Sequence, residues 1–501
     1  MEDLQELVEV FRSKKILKYI RVSGPKRTKL YQGLVNNKYK SEKDALLDIY
    51  GNLSDQGKFA VLQSDLKKIL LDAFFTIDLK HLPSKQLRLH FKTLRNHYLS
   101  ASLTSFASRD LSAAIGKKVV KDSQMLQIQP LQLMPLHEQM KQTAYFGKKR
   151  QLDQQYNELI NIIDLYRAEI QVEFLHLNLL EFIGFTSLSP NVRNKAKEYY
   201  KTASLIRKKK RSFYIDYDFY CIACIYFEMN HQYLHFLRTC NEAIQCISTY
   251  ASRKGTQFEA RFRTYKIEAC LYLGNYELAQ EEVEICKKIL WSGNNRFTIA
   301  AYEYLLYTHT KQFGKAREVV DATISNSFYK LQPPYRKERW LLYTLCLDIS
   351  DTLNNISSST RNVDLEKTVK QLGHFTKDKS GVNGILILFR FLLLLTDKRY
   401  DLITNQIETV KSHYQRYIKG SSPSLASIFK LLIMMERRSF SYKNIISDAE
   451  KLKTKHNLKG ITSSELNEGI AILPYDWLFD KTLEILKRNN EKDAARGRRL
   501  K

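Results

Sequence analysis

Apolar side chains recur along this chain at the three- and four-residue spacing of a helix face. Within residues 3–22, Leu4, Leu7, Val8, Phe11, Ile16, Leu17 and Ile20 follow that spacing with lysines and arginines between them, which predicts an amphipathic helix ended by Ser23-Gly24-Pro25. The same reading predicts helices over 41–50, 58–76 and 84–106. Ser84, after Leu82-Pro83, is placed to accept a hydrogen bond from an orphan amide at the start of the last of these. Gly116 reads as the opening of a less regular stretch through Val119 and Gln129. Pro130 and Pro135 then set a boundary near residue 135, because helices usually stop before a proline. A long helical pattern resumes at Leu152 and runs to about Phe182, with Leu159, Ile162, Ile163, Tyr166, Ile170, Phe174 and Leu177 as its apolar face. Ser189-Pro190 starts the next helix.

From Tyr265 to Thr323 a helical pattern, a short turn and a second helical pattern occur twice. The turns are Leu273-Gly274-Asn275-Tyr276-Glu277-Leu278-Ala279 and Lys311-Gln312-Phe313-Gly314-Lys315-Ala316, with their aromatic residues 37 positions apart. In each, the aromatic wedges between two antiparallel helices, and the alanine three residues later lets the backbones approach to about 8–10 Å. One such pair cannot cover its own apolar face, so units must stack. Other turn positions extend the series: Tyr233 lies 43 before Tyr276, Val363 lies 50 after Phe313, Tyr400 is 37 beyond that, and Tyr442 another 42. The widest gap holds Asn354 to Asn362, rich in Ser, Asn and Thr, which reads as a surface loop. Leu473-Pro474 precedes a helix around Trp477 and Phe479, and a charged tail from Lys487 to Lys501 is expected to fray.

The turn residues resemble the tetratricopeptide repeat, which combines a glycine, an aromatic and a small residue in the order of Gly274, Tyr276 and Ala279. The second copy keeps Phe313 and Ala316; neither copy has the family's first-helix tryptophan and leucine-glycine pair or its closing proline. The drifting spacing, against about 34 in a strict array, points to longer loops or to a divergent helical-hairpin solenoid of another lineage. The resemblance implies an all-α fold, an α-α superhelix of helical hairpins with an N-terminal helical region. The expected division is an N-terminal helical region over 1–135, a connector over 136–194, the tetratricopeptide-like α-solenoid over 195–480, and a basic tail over 481–501. It also implies a non-enzymatic scaffold or adaptor that holds a protein or peptide partner on the concave face. Arg261, Thr264, Glu268 and Tyr272 of one first helix, with Thr298, Ala301, Leu305, Thr308 and His309 of the next, would line that groove.

Composition agrees with helices, since only 18 glycines and 9 prolines punctuate 501 residues and an all-β chain would need turn signals every 8–12. The formal charge of +27, from 80 basic and 53 acidic residues, adds a competing expectation: a nucleic-acid or other acidic partner held by basic stretches at 12–43 and 193–211. Within the second, Arg207-Lys208-Lys209-Lys210-Arg211 is the densest run. It reads either as a phosphate-contact patch or as the solvated end of a helix, where cations interact well with the helix dipole. Seven scattered cysteines, an odd number, read as reduced thiols. The acidic start Met1-Glu2-Asp3-Leu4 lacks the pattern of a signal peptide, so cytoplasmic residence is expected. The most apolar run, Ile385 to Leu395, is broken by Arg390 and too short to span a bilayer; it reads as a buried helix, with no membrane insertion.

The sharpest candidate for chemistry is Cys221-Ile222-Ala223-Cys224 with Glu228, His231 and His235, all residue types that ligate zinc. The loop to His231 is short, and the apolar neighbours Ile222, Ala223, Ile225, Tyr226 and Phe227 favour buried thiols over a metal site. Phosphate-cradling glycine loops, the nucleophile elbow and the zinc-protease motif are all missing, and His81, His90 and His97 have no paired acid at obvious spacing. The sequence therefore predicts no catalytic residues, no metal and no cofactor.

Overall fold

The structure, a computed structural model, describes residues 2–499 apart from 14–16, 37, 40, 83, 107, 186–189, 251–255, 291–294, 327–328, 331, 355–381, 420–422 and 456–471. Among the described residues it is all-α, with 21 α-helices, a few single 3₁₀ or π turns and no strand. The helices pack on their neighbours in chain order. Two compact units form: Met1–Thr186, Asn194–Ile222 and Gln245–Glu259 make the first, and Ser187–Arg193, Ala223–Ile244 and Ala260–Lys501 the second.

The first unit opens with α1 (Glu2–Ser13), α2 (Pro25–Val35), α3 (Glu42–Tyr50) and α4 (Gln56–Thr76). The helix expected over 3–22 is shorter, and Pro25 starts α2. Proline suits a first helical position because the amide it lacks would be unpaired there. Leu4, Val8 and Phe11 of α1 join Leu30 and Leu34 of α2 and Leu62, Leu66 and Leu70 of α4 in one buried core.

Next come α5 (Lys85–Ser105), α6 (Arg109–Leu126), α7 (Pro130–Tyr145) and α8 (Lys149–Phe185). Ser84 caps α5 as the sequence suggests, its side chain accepting from the Leu87 amide at 3.1 Å. Gly116 is a correction, because it lies inside α6 and serves close packing. A methyl group there would sit 3.3 Å from the Pro135 Cβ and 3.4 Å from the Ser100 Oγ. Pro135 lies within α7 and does not end it. Having no amide, it leaves the Leu131 carbonyl without its usual i+4 donor, and His97 hydrogen-bonds to that carbonyl instead.

α8 resolves into two apolar faces where the sequence suggested one. Leu159, Ala168, Glu169, Val172, His176 and Leu179 are buried, whereas Ile163, Ile170, Phe174 and Leu177 are exposed. The helices α9 (Pro190–Lys209), α10 (Phe213–Met229) and α11 (Tyr233–Thr249) follow.

In the second unit hairpins succeed one another: α12 (Gln257–Leu273) with α13 (Tyr276–Leu290), α14 (Asn295–His309) with α15 (Phe313–Ile324), then α16 (Pro334–Leu353). After residues 355–381, which contain Val363 and most of the expected loop and lie outside the described residues, come α17 (Val382–Thr396) with α18 (Tyr400–His413) and α19 (Pro423–Arg437) with α20 (Tyr442–Lys455). Every other turn aromatic read from the sequence, Tyr233, Tyr276, Phe313, Tyr400 and Tyr442, is the first residue of a second helix. Three residues further on, Phe236, Ala279, Ala316, Ile403 and Ile445 are all buried.

One backbone device repeats with them. Two residues before each aromatic the chain turns left-handed, at His231 (φ 56°), Gly274 (68°), Lys311 (62°), Lys398 (59°) and Phe440 (54°). The amides of Gln232, Asn275, Gln312 and Arg399 then donate to the carbonyls of Phe227, Cys270, Tyr307 and Leu394 at 2.7–2.9 Å. The left-handed residues themselves donate to Glu228, Leu271, Thr308 and Leu395. This double bond pattern satisfies carbonyls that a helix end leaves open, so four hairpins bend at the same register; at the fifth the pattern falls one residue earlier, with left-handed Ser439 and Phe440 donating to the Glu436 and Met435 carbonyls.

The last helix, α21 (Tyr475–Arg499), lies against α17, α19 and α20. Trp477, Phe479, Thr482, Ile485, Leu486 and Asn489 along it are buried. Its Trp477 ring meets Phe313 at 4.9 Å, and Asn489 donates to the Leu395 carbonyl at 2.7 Å.

Candidate functional site

The first helices of three successive hairpins, α10, α12 and α14, are joined by glutamate–tyrosine bonds. The Tyr272 hydroxyl on α12 donates to Glu228 Oε1 on α10 at 2.7 Å. One step on, the Tyr302 hydroxyl on α14 donates to Glu268 Oε1 on α12. Stacking continues the row, with Tyr304 of α14 parallel to Tyr343 of α16 at 4.0 Å. Second helices are tied to the following first helices by ion pairs, Lys287 to Glu303 at 2.6 Å and Arg317 to Asp348 and Asp351 at 2.8 Å.

Burial and the neighbouring Glu228 carboxylate push Glu268 up, to about 8, despite opposing help from Tyr302 and Arg261. Tyr272 and Tyr302 are both raised, by burial first and then by the carboxylates they face. Two carboxylates and two phenols so arranged accept and donate hydrogen bonds across hairpins.

Of the nine side chains the sequence placed along this face, Arg261 and Thr298 are exposed, and Glu268 and His309 are half-buried. Thr264, Tyr272, Ala301, Leu305 and Thr308 are buried. The Thr264 and Thr308 hydroxyls donate to their own helices, at the Arg261 and Leu305 carbonyls. Arg261 donates to the Tyr265 hydroxyl at 2.8 Å and lies over that ring. Tyr302 was not found from the sequence, and Glu228 was singled out there only as a residue type that ligates zinc. Each acid meets a tyrosine on the next first helix, 44 and 34 residues later, and that one-repeat separation is the signal that could have found them.

The basic run behaves differently from a free patch. Arg207 and Arg211 converge on the fully buried Asp216, at 2.5 and 2.9 Å, and the Tyr250 hydroxyl donates to the same carboxylate at 2.7 Å. Burial alone would raise Asp216, but Arg207, Tyr250 and Arg211 hold it below the ordinary carboxylate value. Arg207 also lies over the Phe219 and Tyr220 rings. Lys210 pairs with Asp164 at 3.5 Å, and Lys208 and Lys209 are exposed. In the 12–43 stretch, Lys29 and Lys38 pair with Asp48, and Lys26 sits 3.9 Å from the centre of the Tyr50 ring.

Cys221 and Cys224 are buried, the latter 3.8 Å from the Cys240 sulfur, while His235 stacks on Phe227. Among the described residues no three His, Cys, Asp or Glu side chains converge as a metal would need. Nor, among them, is any helix long and apolar enough to cross a membrane.

Fold and site together define an all-α protein of stacked helical hairpins. No protein-family model, curated protein or solved structure matches the chain.

Proposed function

We propose that this protein is a non-enzymatic scaffold or adaptor that holds a protein or peptide partner on the face shared by α12 and α14. The observation that supports this reading is the common register of the hairpins. Because the turns after α10, α12 and α14 bend at the same left-handed position, side chains from these successive first helices fall on one face, as Glu268 and Tyr302 do. Arg261 is close enough to act electrostatically on both. Stacked repeats contact only their neighbours, so such a face can be varied for recognition while the core stays fixed. Cytoplasmic residence belongs to the same proposal.

Arg261 and Thr298 are the side chains to change, because both are exposed. Recovery of partners by Arg261→Glu with Thr298→Arg is compared with the parent chain, and the urea midpoint is measured alongside. The expected result is lost partners with the midpoint lowered only slightly, since Arg261→Glu also gives up the bond to Tyr265. Equal recovery of the same partners removes the reading. Tyr272→Ala is unsuitable as a recognition variant, since it breaks the bond to Glu228.

A further inference from the structure

The outward face of α8 carries a row of exposed, largely apolar side chains. Its exposed side chains are Tyr156, Ile160, Ile163, Ile170, Phe174 and Leu177, between 38% and 63% accessible. They follow alternating steps of four and three residues, with Arg167 filling the one interruption and Glu181 the next position. A strict alternation of this kind is the narrow seam of a two-helix coiled coil, whereas a helix facing a globular core shows a wider stripe. It runs for more than three heptads along a helix of 37 residues, about 55 Å long. From Arg167 onward the helix does not use this seam to hold its place, because Ala168, Val172 and Leu179 are buried on the opposite side, whereas Leu159, at the edge of the seam, is buried against Val120 and Leu136. The flank at Asn157, Asp164 and Gln171 is polar and exposed, as the rim of a helix pair requires, while the other flank carries buried Leu159, half-buried Tyr166 and Leu180, and exposed Glu173.

We propose that this seam joins two copies of the chain, with their α8 helices antiparallel. The choice of occupant and direction rests on the two charged positions, which lie two heptads apart and carry opposite charge. A parallel pair would set Arg167 against Arg167 and Glu181 against Glu181. An antiparallel pair centred between Ile170 and Phe174 packs Ile170 of one copy on Phe174 of the other and brings Arg167 beside Leu177. Helical side chains lean toward the N-terminus of their own helix. In that register Arg167 of one copy and Glu181 of the other lean toward each other, twice by symmetry, so the surface is complementary to itself. An interface of this extent belongs near the lower end of stable association, about 1,200 Å² in total, and gives a dimer that dissociates in the micromolar range.

The test is sedimentation velocity on the full chain across a concentration series. Mass should rise from one chain of 58.8 kDa toward two. Ile170→Asp with Phe174→Asp should weaken association by about 100-fold, or nearly 3 kcal/mol, with an unchanged helical spectrum and urea midpoint because both side chains are exposed. Arg167→Glu alone should weaken it by about tenfold, and adding Glu181→Arg should restore it. In a parallel pair the single exchange would leave like charges facing each other and change little. A chain monomeric at every concentration overturns the proposal, and so does a dimer indifferent to Ile170→Asp with Phe174→Asp. A dimer that Arg167→Glu leaves intact overturns the antiparallel register.

Discussion

Two glycines of neighbouring hairpins, Gly274 and Gly314, should respond to alanine with opposite signs. Gly274 is left-handed, at φ +68°, whereas Gly314 is the second residue of α15 with an ordinary helical backbone. A Cβ added at either meets nothing within 4 Å, so packing drops out of the comparison. At Gly274 an L-residue costs about 1–2 kcal/mol in the left-handed region. The smaller entropy of the unfolded alanine chain returns part of this, which leaves a net loss of about 1 kcal/mol. At Gly314 only the favourable part remains, a gain of about 0.5 kcal/mol. Trp340 and Trp477 are buried in the second unit, so their fluorescence follows that unit during urea unfolding. With a urea dependence of about 3 kcal/mol/M, Gly274→Ala lowers the midpoint by roughly 0.3 M and Gly314→Ala raises it slightly. Shifts of the same sign in both variants would refute the left-handed turn as the element that sets the hairpins.

Three further outcomes follow from the geometry. Glu268 holds its proton more tightly folded than unfolded, so its stabilisation is full below the ordinary carboxylate value and is lost as pH rises through about 8; Glu268→Gln should flatten the fall in urea midpoint between pH 6 and pH 9, and parallel curves for the two proteins would contradict this. Asp216 is held low, so its contribution is present above its ordinary value of 3.8 and lost in more acid solution. Asp216→Asn, which leaves Arg207 without its carboxylate, should cost about 3–5 kcal/mol by circular dichroism in urea; a loss below 1 kcal/mol would show that the arginines find other partners. Gly116→Val pushes side-chain carbon toward Pro135 and Ser100 and should destabilise the first unit by about 1–3 kcal/mol, an expectation that an unchanged melting curve would overturn.

The hairpins were legible because, among the described residues, an aromatic opens the second helix at Tyr233, Tyr276, Phe313, Tyr400 and Tyr442, and large apolar residues at fixed offsets are what a sequence displays best. The left-handed residue two places earlier was not, since only Gly274 among them is a glycine; His231, Lys311 and Lys398 adopt the same backbone, as do Ser439 and Phe440 in the last turn. Gly116 and Pro135 misled for the converse reason. Each looks like a breaker taken alone, and their meaning lies in the helix packed across from them. On α8 two apolar faces overlap in one periodic pattern, which spacing alone does not separate. Along the candidate face, helical position identified Arg261 and Thr298, but it could not show that Tyr272, Leu305 and Thr308 are buried, Tyr272 against Glu228 and Tyr233 of the preceding hairpin.

The placement of α21 also bears on how fast the second unit folds. Each hairpin closes through contacts only a few residues apart in the chain, and such local structure forms in microseconds. α21 follows every hairpin it touches, and Lys311 reaches Asp476 across 165 residues while Tyr304 reaches the Ile472 carbonyl, just before the helix, across 168. Contacts that distant in sequence must meet the loop-closure entropy before they return any stabilisation. The hairpins can therefore assemble early as separable pieces, and the slow step is the return of the final helix. Until it docks, Trp477 is missing from beside Phe313 and α17, α19 and α20 lack the surface that joins them.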